Sequence, residues 1–312
     1  IIGFKLHKSG DSRWLYLAVT LNLLCLGFFK YINFFVENLF STLGLVFNNL
    51  PDTPFFNIIL PLGISFYTFE VLSYLIDIHR KKSEPEREFL PFALFVLFFP
   101  HLIAGPICRT SQFIPQVKTI QVISLSSFYK GALIFLAGFV LKTAIADGIA
   151  PYVNVMFDNP TNYSGSDNLF AVIGFGVQIL GDFWGYSLMA IGSGYLFGIV
   201  LPNNFNAPYF ALSIQDFWRR WHITLSNWLR DYLYISLGGS KNQSELKIYR
   251  NLTITMLLGG LWHGASWNFV IWGGIHGVAL AVHRFWSKAM FHKTLQAIYG
   301  YKLVAWFITM TI

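Results

Sequence analysis

The stretch Leu258–Gly277, LGGLWHGASWNFVIWGGIHG, sets two histidines, His263 and His276, in a run that is otherwise mostly glycine, aromatic and aliphatic. Such a segment needs a solvent to match, and the rest of the chain says which. Of 312 residues, 54% are hydrophobic, 18% aromatic and only 12% charged, about half the charged content of roughly 25% usual in soluble domains. Mean hydropathy is +0.52. The main solvent is lipid. A net charge of +7 would hint at nucleic acid in a soluble protein. Here it fits basic cytoplasmic loops beside anionic lipid, so the expected partner is the bilayer and not nucleic acid.

Two cysteines, Cys25 and Cys108, lie in apolar surroundings without a CxxC pair, which reads as structural. The chain starts IIGFKLHKSG, without Met, and stops inside the apolar run LVAWFITMTI. The expectation is a fragment of a larger membrane protein, lacking helices at both ends. No repeat, low-complexity tract or linker divides it, so residues 1–312 read as one all-α, polytopic membrane domain.

A spanning helix needs roughly 20 apolar residues. Trp14–Val36, Phe55–Ile78, Phe128–Ile145 and Leu169–Leu201 meet this, Asn251–Gly260 and Ala265–His283 flank the opening motif, and Lys302–Ile312 starts another span. The basic residues Lys5, Lys8 and Arg13, and then Arg80, Lys81, Lys82 and Arg87, place their loops in the cytoplasm. The loop Glu37–Pro54 has no Lys or Arg and reads as outside. The alternation then fails: Pro151–Asn168 carries Asp158 and Asp167 and no basic residue. It is restored if Phe89–Cys108 does not cross. Pro100, Gly105 and Pro106 break a helix there, and broken backbone at membrane depth survives only when buried or lining a wet cavity. A re-entrant element is expected around His101–Arg109. Over Ser213–Gly239, Ile214, Phe217, Trp221, Leu225, Trp228 and Tyr232 share one face at helical spacing. Asp216, Arg219, Asn227, Arg230 and Asp231 share the other. This predicts one amphipathic helix near the cytoplasmic interface, with His222 on the border of its faces.

Ionisable groups inside a membrane are costly and point to function, yet each has a plainer explanation. His263, between glycines, is suited to take a proton from a hydroxyl near neutral pH; the plainer role is a buried, hydrogen-bonded ring. His222 after FWRRW is either a second functional ring or an interfacial side chain. His276 reads rather as a supporting group, and His101 as packing. The spacings are unlike metal motifs such as HExxH, and no metal is expected. Glu70 and Asp77, with Tyr74 and Tyr67, form a polar seam that is structural or, alternatively, a proton path, and Asp182 is similar. Arg109, Arg219, Arg220 and Arg230 are suited to phosphates of a cytoplasmic donor or to lipid headgroups. No GxSxG, P-loop or dinucleotide fingerprint is present.

Three stretches taken together, FFPHLIAGPICRTSQFIPQ, DFWRRWHITLSNWLRDYLYISLGG and RNLTITMLLGGLWHGASWNFVIWGGIHG, resemble the membrane-bound O-acyltransferase family. The resemblance is strongest to its bacterial polysaccharide branch of the alginate O-acetyltransferase type. It covers roughly Leu60 to His283. It implies a ring of tilted helices around a central funnel, with His263 of the WHG motif and His222 as catalytic residues. RDY, here Arg230–Tyr232, is also part of the family pattern and His276 is shared with the alginate-type branch, so His276, Trp262 and Asp231 are expected to support the site, with Arg219, Arg220 and Arg230 expected, from their charge, to bind the donor. An acyl thioester such as acetyl-CoA is the implied donor. A polysaccharide hydroxyl, or an extracytoplasmic partner protein relaying the acyl group, is the implied acceptor, at a bacterial cytoplasmic (inner) membrane. The alternatives are D-alanyl transfer of the teichoic-acid type, a proton-coupled transporter, which should show inverted repeats, and a non-catalytic scaffold.

Overall fold

A computed structural model describes residues 1–47, 51–119, 122–289 and 298–312. Among these, the regular structure is helical and no strand occurs. In chain order the helices are α1 (Ile2–Ser9), α2 (Ser12–Gly44), α3 (Ile64–His79), α4 (Phe89–Leu97), α5 (Phe99–Leu102), α6 (Thr110–Lys118), α7 (Leu125–Asp158), α8 (Gly165–Leu196), α9 (Ile214–Arg220), α10 (Ile223–Trp228), α11 (Glu245–His263), α12 (Trp267–Ser287) and α13 (Tyr301–Met310). Helices α2, α7 and α8 are each long and apolar enough to cross a membrane. π-Helical turns interrupt α2 at Gly27–Tyr31 and α7 at Leu141–Ala146, and another, Leu229–Tyr234, continues α10.

The described residues fall into two compact units, Glu86–Asn206 and the remainder. In the first, α7 and α8 meet at glycines: a Cβ on Gly138 would lie 2.5 Å from the Gly185 carbonyl oxygen. Lipid offers no hydrophobic drive between helices, so small residues that admit close backbones are what pack them. Lys142 bridges Asp147 at 2.5 Å and Asp182 at 2.7 Å, which gives Asp182 a structural partner. The expected break in Phe89–Cys108 takes the form of α4 and α5, nine and four residues long, both too short to span. His101 is 1% exposed, packed on Phe95, Phe98 and Phe113, and its Nε2 bonds the Phe95 carbonyl at 3.1 Å. Arg109 caps α6 in the same unit.

In the second unit, two expected elements change. The span Phe55–Ile78 is helical only from Ile64, because Pro61 and Gly63 precede it and Gly63 takes a left-handed φ of 73°. Likewise α2 runs on to Gly44, into the expected loop Glu37–Pro54, of which residues 48–50 lie outside the described residues. The single amphipathic helix over Ser213–Gly239 is broken between α9 and α10 by His222, whose φ is 41°. Its apolar face nonetheless stays inward: Ile214, Trp221, Leu225, Trp228 and Tyr232 are all buried. Glu70, Tyr74 and Asp77 of the polar seam of α3 are buried as well, and Asp77 accepts a 2.6 Å hydrogen bond from the Tyr232 hydroxyl.

Candidate active site

The site is built where α11 turns into α12. The two helices cross on glycines. A Cβ on Gly260 would lie 2.2 Å from the Phe269 carbonyl oxygen, one on Gly273 2.3 Å from that of Met256, and one on Gly277 2.8 Å from the Thr253 Cα. Only hydrogen fits at these points. This explains the glycine content of the opening stretch: it lets two backbones touch. Helix α11 ends at His263, and a Cβ on Gly264 would lie 2.3 Å from the Phe269 ring. Ser266 then caps α12, accepting from the Asn268 N–H at 3.3 Å.

Around His263 the rings form a continuous cluster. Phe269, Trp272 and His276 follow one another along α12 at helical spacing. Trp272 meets the His263 ring edge-on, with centroids 5.2 Å apart, and the His276 ring at 4.7 Å. Phe269 lies near-parallel to the His263 ring at 6.3 Å. Trp218 of α9 closes on Trp272 at 5.8 Å and on His276 at 5.3 Å. His222 arrives from the α9–α10 break, its ring centroid 6.5 Å from that of His263 and 6.2 Å from Trp262. His222 and His276 are buried, at 1% and 6% exposure, whereas His263 is half-buried. Of the three histidines, His263 is therefore the one that an incoming group can meet.

Behind the pair runs a stack. Trp262 lies on Phe69 at 5.1 Å, and Phe69 on Trp228 at 3.9 Å and 4°. The Trp228 indole N–H donates to the Phe69 carbonyl at 2.9 Å. Such stacks fix a ring more firmly than aliphatic contact does. Asp231 follows Trp228 in the π-helical turn Leu229–Tyr234. Its carboxylate takes Arg230 Nε at 2.7 Å, and its carbonyl accepts from Arg80 at 2.8 Å.

Of the sequence-expected arginines, Arg219 and Arg230 line one cavity of about 580 Å³ in this unit, together with His283 and Arg284. Trp218 forms part of its wall, so the cavity is one ring away from His276. Arg220 is engaged by Asp216 at 3.0 Å. Arg284 pairs with Glu245 and Arg230 with Asp231. Among the described residues, no group of three His, Cys, Asp or Glu side chains is arranged to hold a metal ion.

Besides the packing rings, Lys30, Tyr31 and Ser65 reach the site without having been singled out from sequence. Lys30 Nζ donates to the Trp262 carbonyl and, at 3.1 Å, to Ser65 Oγ; the Tyr31 hydroxyl donates to the Leu261 carbonyl at 2.9 Å. The signal was available, since Lys30 is the one charged residue between Arg13 and Glu37.

Comparison with known proteins extends the picture. The model of the membrane-bound O-acyltransferase family matches residues 85–312. A probable alginate O-acetylase of Azotobacter vinelandii is 46% identical over 91% of this chain and 57% of its own length. A peptidoglycan O-acetyltransferase of Helicobacter pylori is 42% identical over 99% of this chain and 62% of its own. A teichoic acid D-alanyltransferase of Bacillus subtilis is 30% identical over 76% of this chain and 62% of its own. The chain thus spans roughly three-fifths of the length of these curated relatives.

Proposed function

The chain belongs to the membrane-bound O-acyltransferase family, and from that premise we propose that it moves an acetyl group from a cytoplasmic thioester, acetyl-CoA, to a hydroxyl on the far side of a bacterial cytoplasmic membrane. The observation that carries this reading is the pairing of a half-buried His263 with a buried His222, 6.5 Å apart. Neutral imidazole is a general base suited to a hydroxyl. In the proposed step the acceptor oxygen attacks the thioester carbonyl carbon while His263 takes the hydroxyl proton. The C–O bond forms, the C–S bond breaks, and the thiolate leaves with the proton His263 returns. His222 orients the donor or stabilises the negative charge that develops on the carbonyl oxygen. Trp262, Trp272 and His276 hold both rings in place.

Arg219 and Arg230, on the wall of the 580 Å³ cavity, are proposed to bind the phosphates of the donor. The acceptor is proposed to be a polysaccharide or peptidoglycan hydroxyl, reached directly or through an extracytoplasmic relay protein. Of the three carboxylates a proton-coupled transporter would use, Glu70, Asp77 and Asp182, two are held by structural partners: Asp77 by Tyr232 and Asp182 by Lys142.

Membranes carrying the full-length parent, offered acetyl-labelled acetyl-CoA, should transfer label to glycan or relay protein on the outer face. The purified polypeptide alone should not acetylate polysaccharide. Replacing Arg219 and Arg230 by Ala should raise KM for acetyl-CoA several-fold and leave kcat near wild type, the pattern of lost ground-state binding. Transfer of D-alanine from a carrier protein, with none of acetyl, would replace this reading with the teichoic-acid type.

A further inference from the structure

Helix α11 must end inside the protein so that His263 can face its cluster. The last carbonyls of a helix have no partner within it, and buried carbonyls left unpaired are costly. The partners here come from α2. Its π-helical turn Gly27–Tyr31 presents two consecutive side chains to the end of α11. Tyr31, 7% exposed and packed with Leu26 and Ile64, donates to the Leu261 carbonyl; Lys30 donates to the Trp262 carbonyl, one peptide before His263. A cation at this end also meets the negative pole of the helix dipole. Further along α2, Phe34 packs on Trp267 at 5.8 Å, and the Trp267 indole N–H donates to Asn38 Oδ1 at 2.7 Å. One helix thus grips the chain immediately before His263 and again at Trp267, four residues after it.

We propose that Lys30 and Tyr31 are positioning residues that set the orientation of His263. Neither lines the proposed donor cavity, and both lie outside the stretch matched by the family model, 85–312. π-Helical turns recur at functional sites because they redirect side chains that a regular helix would place elsewhere. In α2 the turn supplies two adjacent donors for two adjacent carbonyls.

The inference rests on His263 being the base, and the test separates the two. Initial rates of transfer from acetyl-labelled acetyl-CoA are measured in membranes of the full-length parent for wild type, Lys30→Met, Tyr31→Phe and His263→Ala, at matched abundance. Misplacing a catalytic group costs rate without weakening donor binding, so kcat should fall about 10- to 100-fold in Lys30→Met. It should fall by a smaller factor in Tyr31→Phe, with KM for acetyl-CoA unchanged in both. Tyr31→Phe loses a single hydroxyl and decides the question alone if Lys30→Met does not accumulate. Wild-type kcat in Tyr31→Phe, or a raised KM with wild-type kcat in either variant, overturns the positioning role. Full transfer by His263→Ala overturns the reading beneath it instead.

Discussion

His222 is held at a φ of 41°, where a side chain with a Cβ is strained by about 1–2 kcal/mol. Asn, Asp and His tolerate this region better than most residues, and β-branched ones tolerate it worst. Strain of this kind persists where the surroundings enforce it, often at functional sites. His222→Asn should therefore accumulate like wild type and lose rate. His222→Val should lose both rate and abundance, since it breaks the α9–α10 turn. Quantitative blotting beside transfer rates checks this pair. The ring itself was legible in the sequence as an ionisable group among tryptophans. Its backbone was not. Ile214, Trp221, Leu225 and Trp228 keep helical spacing across the break because both pieces bury the same face, so periodicity reads straight through it. Lys30 is visible in the sequence as a lone charge in an apolar run, but its role is not, because the Trp262 carbonyl it reaches lies 232 residues away.

At the scale of elements, the α11–α12 pair depends on bare backbone. A methyl on Gly273 would meet the Met256 carbonyl oxygen at 2.3 Å, a rigid neighbour that cannot give way. Gly273→Ala should cost about 1–3 kcal/mol, as overpacking generally does, and should lower the thermal inactivation temperature of the protein in lipid nanodiscs. Gly148→Ala is the control: nothing lies within 4 Å of a Cβ there, and alanine is the better helix former. That variant should match or exceed wild type. The glycines of Leu258–Gly277 are plain in the sequence, but which backbones meet at them is not. The start of α3 was not, because hydropathy alone counts Phe55–Leu62 as span. Pro61 and Gly63 decide otherwise, through φ restrictions that an average does not contain.

At the scale of the molecule, charge bias predicts which loops share a side. In a background with Cys25→Ser and Cys108→Ala, Glu84→Cys should react with an impermeant maleimide only after the cytoplasmic face is opened, and Ser164→Cys should react in intact cells. Labelling of both from one side would undo the argument that Phe89–Cys108 does not cross. The membrane class and the histidines were accessible from composition and motif; the breaks that aim them were not, because they arise from contacts between distant segments. The central claim is that His263 and His222 act together on one acyl transfer. The most direct measurement is the transfer rate of His263→Ala, His222→Ala and the double variant in membranes at matched abundance. Each single change is predicted to cost at least about 100-fold, the usual scale of a lost general base or positioned partner, and the double is predicted to be no slower than the worse single, as for residues working as a unit. Wild-type transfer by His263→Ala would contradict the account.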